Sequence, residues 1–236
     1  MTDEATIDRA YFLANYPTAF GKLTASRREG FEALFDAWDD LPHLDYLDWL
    51  AYAMATAWHE TGGTMQPVRE GFAKSDAEAY AKVTAYCARQ GIENYARRHA
   101  NGQSYYGRGY VQLTHSYNYQ KMGERLYVGK AFYDDPDKVM QAQIAAKILL
   151  IGLMEGSFRP KAGTLIDYFS GMERDWFNAR DLINGDKKKV AAWTLKEWPG
   201  GKPTGELIAG YGQAFRAALR QGRRQTLDNS EGLSIG

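Results

Sequence analysis

Apolar and polar residues alternate with a helical period over most of the chain. In "SRREGFEALFDAWDD" the side chains Phe31, Leu34, Phe35 and Trp38 recur at three- and four-residue spacing, which predicts one buried helical stripe, and Ser26 and Glu29 stand at capping-box spacing at its start. "LDYLDWLAYAMATAWHE" repeats the pattern through Leu47, Leu50, Ala51, Met54 and Trp58, with Gly62 or Gly63 placed to end the helix in left-handed backbone. "SDAEAYAKVTAYCARQ" opens on a second capping box, Ser75 and Glu78. "DDPDKVMQAQIAAKILLIGLMEG" predicts one long helix, with Asp135 as N-cap, Pro136 at its first position and a stripe through Met140, Ile144, Ile148 and Ile151. "DWFNARDLINGD" reads as a helix ended by Asn184-Gly185, and "ELIAGYGQAFRAALRQ" as a final amphipathic helix.

One stretch departs from this period, "YYGRGYVQLTHSYNY". Tyr106-Gly107-Arg108-Gly109 predicts a turn, and Tyr110 to Thr114 a short strand. No segment is rich enough in Pro or Ser to be an interdomain linker, there is no internal repeat, and Gly200-Gly201-Lys202-Pro203 reads as a loop. The expectation is a mainly α protein, a single domain over residues 1–236 with two lobes and one small sheet or hairpin.

Composition narrows the partners. Lys plus Arg balances Asp plus Glu at 29 each, which gives no general attraction to nucleic acid. The one basic cluster, Arg216, Arg220, Arg223 and Arg224, is read as a solvated face of the last helix rather than a contact with anionic envelope material. With 16 Tyr and 6 Trp the chain could line a sugar-stacking groove, although a tyrosine-rich core is the commoner cause. Cys87 is the single cysteine, so no internal disulfide forms and packing must hold the fold, which suits cytoplasmic synthesis. The N-terminus "MTDEATIDRAYFLANYP" shows no signal-peptide pattern, and no run reaches the roughly 18 apolar residues of a membrane span.

The stretch "AWHETGGTMQPVRE" raises the question of chemistry. A zinc helix needs a second His where Gly63 stands, and the four His, at 43, 59, 99 and 115, lack ligand spacing, so neither a metal nor another cofactor is expected. Serine-nucleophile and phosphate-loop motifs are absent, and Cys87 reads as a buried structural thiol. Carboxylates remain. Glu60 ends a helix, where the negative end of the macrodipole and the neighbouring Trp58 both disfavour ionisation in a desolvated site; Glu70 follows after a glycine turn. A protonated carboxyl and an ionised partner are what glycoside hydrolysis requires. From spacing alone, ordinary helix-end surface charge explains the two acids equally.

"AWHETGG", "YYGRGYVQLTHSYNY" and "ARDLING", in this order, resemble family 19 glycoside hydrolases, the chitinases and related peptidoglycan-cleaving lysins of phages and prophages. The resemblance covers roughly residues 22 to 220 and is nearest the lysin branch, with its "AWHET-G-MQP-RE" stretch. It implies a helical, two-lobed, lysozyme-like fold with a cleft between the lobes. Glu60 falls on the family's general acid, Glu70 on the general base of the lysin branch, and Thr114 on a hydroxyl residue that holds the attacking water. Tyr105, Gln112, Tyr117, Asn118 and Asn184 fall on groove residues that contact sugars. Each has a plainer reading: Asn184 as a helix C-cap, Gln112 and Thr114 as paired strand residues, Tyr105 and Tyr117 as packing, and Arg108 as the holder of a turn or a carboxylate.

The chain also departs from the family. Plant members place the second Glu about twice as far along and tie their loops with disulfides, so Glu78 stands as an alternative to Glu70. The family's Arg partner of the acid is missing from "GELIAGYG", leaving Arg180 to substitute or the pairing absent. The segment 73–104 is helical where plant enzymes have loops. The resulting expectation is an endolysin-type hydrolase of β-1,4-linked peptidoglycan strands. It would be a monomer made without a leader and freed to the periplasm or cell wall by a separate holin-like protein, with no wall-binding domain. A chitinase, a lytic transglycosylase and a non-catalytic glycan-binding module are the alternatives.

Overall fold

The structure, a computed structural model, describes residues 7–41 and 46–232, with side chains described as far as residue 222. The helices are α1 (Arg9–Ala14), α2 (Ala25–Asp39), α3 (Leu47–Glu60), α4 (Asp76–Gln90), α5 (Ser116–Arg125), α6 (Ala131–Asp134), α7 (Ala142–Met154) and α8 (Thr204–Gly232), joined in places by single 3-10 turns. Two short strands, β1 (Val68–Arg69) and β2 (Arg108–Gly109), pair antiparallel with Val68 opposite Gly109. The protein is therefore mainly helical with one small sheet, as its sequence pattern predicts.

The axis of the large lobe is α3, which packs against α8 and α7, while α2 packs against α7. Its sequence predicts one apolar face, yet every residue from Asp48 to Trp58 is buried. The reason lies in the alanines at 51, 53, 55 and 57, whose small side chains let neighbours close in on the faces that Leu50 and Met54 leave free. Buried Asp48, near the start of α3, is held by Arg174 at 2.8 Å and by Arg216 of α8, so Arg216 is not part of a solvated face. Arg220 is exposed, and the side chains of Arg223 and Arg224 lie outside the described residues, as does His43.

A second, smaller apolar cluster gathers Ala73, Ala79, Val83, Cys87, Ala96 and Tyr106 around α4, which accounts for the two lobes and for the buried thiol of Cys87. Ser75 caps α4 through the Glu78 N–H, as expected, and the Glu78 carboxylate closes back on the N–H of Lys74.

Several boundaries differ from expectation. Thr24, not Ser26, caps α2, because its extended backbone turns its hydroxyl onto the Arg27 N–H, while Ser26 points to Thr64. The long helix predicted from Asp135 is two elements: Asp135 and Pro136 start a 3-10 turn that ends at Met140, and Gln141 in extended backbone then restarts the chain as α7. The "DWFNARDLINGD" helix is a 3-10 turn over Asn178–Leu182. In the central motif, turn and strand are exchanged. Arg108-Gly109 is the strand, and Tyr110 to Gln112 form the loop, closed by reciprocal bonds between Arg108 and Leu113. Gln112 at φ 54 supplies the reversal, and the β-prone side chains Tyr110 and Val111 are apolar anchors for the core rather than strand residues.

Candidate active site

Glu60 closes α3 at the rim of the large core. The helix end is rigid: Thr61 donates to the Ala57 carbonyl at 2.7 Å and accepts from the Met65 N–H at 3.0 Å. Gly62 and Gly63 follow at φ 59 and 76, and a side chain on Gly63 would strike the Trp58 ring. Arg180, only 2% exposed, places Nη1 2.5 Å from Glu60 Oε1. Its Nε and Nη2 hold both oxygens of Asp186, at 2.7 and 3.2 Å. Burial works against the Arg180 charge, but Glu60 and Asp186 more than offset it and raise its pKa. Burial likewise works against Asp186, whose carboxyl the Arg180 hydrogen bonds hold below its ordinary range. His59 is pushed down chiefly by burial. Arg180 thus takes the place of the absent arginine in "GELIAGYG", and the loop after Leu182 supplies Asp186 as a second anchor.

Glu70 belongs to the small lobe. It follows β1, and its N–H donates to the Gly107 carbonyl at 2.8 Å while the Gly107 N–H returns to Oε2 at 2.9 Å. The Tyr95 hydroxyl donates to Oε1, so both carboxylate oxygens are occupied. Burial first, and then Glu70, push the Tyr95 phenol well above its ordinary value, so it stays a donor. A Cβ at Gly107 would lie 2.7 Å from Gln112 Oε1, so a larger residue there would push the Gln112 side chain aside. The next turn carries Phe72, 61% exposed, whose ring approaches Gly62 and brings the two carboxylate-bearing segments together. Glu78, the alternative base, is committed to Lys74 and Lys82 at the start of α4.

Behind Glu70, Arg108 is 1% exposed and binds Asp137 at 2.8 Å, Asp76 at 3.0 Å, the Ser104 carbonyl and the Tyr119 hydroxyl, with its guanidinium over the Tyr106 ring. Its role as a holder of carboxylates is what the structure shows.

A family model described as "Chitinase class I" matches residues 47–164, half of the chain, with Glu60, Glu70 and Thr114 inside the match. The chain belongs to glycoside hydrolase family 19. Its fold is similar to that of chitinase C from Streptomyces griseus HUT6037, at 19% identity over 93% of this chain and 78% of that one, with a TM-score of 0.52. A mutant of the same chitinase C gives 18% identity, 91% and 76% coverage and a TM-score of 0.50. At these identities the likeness is one of fold. None of the curated proteins compared with it matches the chain.

As a family 19 glycoside hydrolase, the chain presents its remaining motif residues in unlike ways. Thr114 is half-buried and donates to the Gln112 carbonyl at 2.6 Å, which leaves its oxygen free to accept. Gln112 reaches from its loop to the Val68 carbonyl at 3.2 Å and so braces β1. Asn118 donates to the Thr114 carbonyl at 2.7 Å, tying α5 to the same loop. Tyr117 is 64% exposed with its ring stacked on His115. Tyr105 is fully buried; its hydroxyl is bonded to Tyr133 and Asn101, and its ring is stacked on Tyr133, so it packs the lobe and does not line a groove. Asn184 is exposed and caps the Gly185 N–H at 2.8 Å, holding the turn that delivers Asp186 rather than ending a helix. Sequence reasoning missed Tyr95 and Asp186. Asp186 stands two residues beyond the "ARDLING" motif, whereas nothing local marks Tyr95.

Proposed function

We propose that this family 19 hydrolase cleaves the β-1,4 bonds of peptidoglycan glycan strands, as an endolysin does. The observation that carries the chemistry is a pair of carboxylates in unlike settings, Glu60 against a buried guanidinium and Glu70 tied by a phenol and a backbone N–H. Glu60 donates its proton to the glycosidic oxygen as the C–O bond breaks, and Arg180 stabilises the carboxylate left behind. Glu70 takes a proton from a water whose oxygen bonds to the anomeric carbon, with the Thr114 hydroxyl accepting from that water to orient it. Inverting enzymes hold their carboxyls about 6.5–9.5 Å apart to admit such a water, and the product inverts. Tyr117 and Asn118 would face the sugar chain.

The preference for peptidoglycan is supported by "AWHETGG" followed by "MQPVRE", the stretch that resembles the lysin branch. A chitinase reading is favoured by the description of the family model and by the two chitinase structures. In the lysin reading the protein works as a monomer in the cell wall, after release from the cytoplasm by a separate membrane-permeabilising protein. No described helix is long and apolar enough to cross a membrane. The test is digestion of purified peptidoglycan and of chito-oligosaccharides, reading the new ends by mass. New reducing ends on glycan strands support the proposal. Cleavage of chito-oligosaccharides alone, release of stem peptides, or 1,6-anhydro ends would each overturn it.

A further inference from the structure

The loop after α4 and the start of α5 border an open cavity of about 350 Å³, lined in part by Glu93, Tyr95, Arg97, His99, His115 and Tyr117. Its place is set by Tyr95, whose hydroxyl reaches Glu70 while its ring meets His115 edge-on at 5.8 Å. His115 in turn lies parallel to Tyr117, at 5.5 Å and 6°. The aromatic wall therefore runs from the base outward without a break, and the cavity is one side chain from Glu70. A group filling it would lie one side chain from Glu70.

Its charges narrow what that group is. Arg97 and Glu93 are 3.8 Å apart but 77% and 85% exposed, an i,i+4 pair of the kind that adds little to stability. Both are free to exchange each other for a ligand. The adjacent Arg98 is not, being bound to Asp76 at 2.9 Å and to the Gly102 carbonyl at 2.8 Å. A neutral acetamido sugar offers these groups hydrogen bonds but no opposite charge. Peptidoglycan differs from chitin by a lactyl ether carrying a short peptide, with carboxylates for Arg97 and an ammonium group for Glu93.

We propose that this cavity binds the stem peptide of the strand being cut, an inference that rests on the peptidoglycan reading of the site. It assigns a role to the part of the 73–104 segment that departs from the plant enzymes. The cavity is small for a ligand site, so it takes the first residues of the peptide rather than the whole.

The experiment compares the full chain on three substrates: glycan strands bearing stem peptides, the same strands stripped by an amidase, and chito-oligosaccharides. Wild type is expected to show a KM about tenfold lower on stem-bearing than on stripped strands, the size of one charge-assisted contact. Free stem peptide is expected to raise the KM of stem-bearing strands competitively and to leave stripped strands unaffected. In Arg97→Ala the ratio of the two KM values is expected to fall towards one, with circular dichroism melting checking that this exposed substitution leaves the fold intact. Equal KM values in wild type, or a ratio that survives Arg97→Ala, would overturn the peptide site while leaving the peptidoglycan reading standing. Cleavage confined to chito-oligosaccharides would overturn the reading itself and the site with it.

Discussion

Replacing Arg180 by Gln tests the central ion cluster. The substitution leaves Glu60 and Asp186, at 17% and 23% side-chain exposure, without their shared guanidinium. Removing one member of a buried pair costs about 3–5 kcal/mol. Carboxylates that keep some water recover part of that, so the expected loss is roughly 2–4 kcal/mol. For a chain of this size that lowers the melting temperature by roughly 5–15 °C. The deficit depends on pH with a definite sign. Arg180 holds Asp186 below the ordinary carboxylate value, so that part of its contribution is complete above that value and lost as pH falls through the folded value. The gap between wild type and Arg180→Gln is therefore widest at neutral pH and narrows as pH falls below about 4. Calorimetry across that range checks it, with kcat measured alongside and expected to fall by about 10²–10³, since the guanidinium stabilises charge that forms on Glu60. In Glu60→Gln/Arg180→Gln the two stability losses should sum to more than the double variant shows. Wild-type melting at neutral pH, or strict additivity, would refute the cluster as the element that fixes Glu60.

Further substitutions probe the neighbouring parts. Glu60→Gln should lower kcat by about 10²–10⁴ with glycan binding kept, whereas a non-catalytic binding module would show no change in either property. Tyr95→Phe removes the phenol donor on Glu70 and should cut kcat about tenfold at unchanged KM; a purely structural Tyr95 would instead lower stability and leave kcat alone. Gly30→Ala would put a Cβ 2.0 Å from the Met65 carbonyl, a backbone atom that cannot swing away, and should cost about 1–3 kcal/mol in a urea melt. His59 is held below 6.5 in the folded state, so the unfolded chain takes up a proton first, and stability falls as pH drops through that value. His59→Gln should flatten the melting profile between neutral and mildly acid pH, and an unchanged slope would rule out this source.

What the sequence made legible was local. Period located α2, α3, α4 and α8, and a capping box marked the start of α4, because a helical stripe and a capping side chain act within one or two turns. The break at Gln141 and the 3-10 turn at Asn178–Leu182 were not legible, since tertiary packing decides whether a marginal helical stretch completes its turns. The central motif misled for a related reason: Tyr110 and Val111 are β-prone as an aromatic and a β-branched residue, yet here they are buried in the core. In the site, Glu60 and Glu70 could be marked from the motif, and Arg180 could be named from the resemblance as a substitute partner for Glu60, but neither Tyr95 nor the pairing itself could be read from local pattern. Arg180 lies 120 residues from Glu60 and Tyr95 lies 25 from Glu70, distances at which no period or spacing carries a signal.

Those partners also explain how two lobes can present one site. Glu60 stands on the large lobe and Glu70 on the small one, whose apolar cluster is too small to anchor it firmly by itself. Buried Arg108 joins Asp76 at the start of α4 to Asp137 in the segment leading to α7, and Arg69 of β1 bonds the same Asp137 at 2.5 Å. The sheet that carries Gly107 and Glu70 is thereby tied to the large lobe by charge as well as by the apolar anchors Tyr110 and Val111. On the other side Arg180 ties Glu60 to the Asp186 loop in the same way. A displacement of the sheet would strand the buried Arg108 guanidinium, so these pairs are sensitive to position. In the proposed mechanism a water fits between Glu60 and Glu70, so that gap needs a fixed width, and buried Arg180 and Arg108 hold the two segments that would set it.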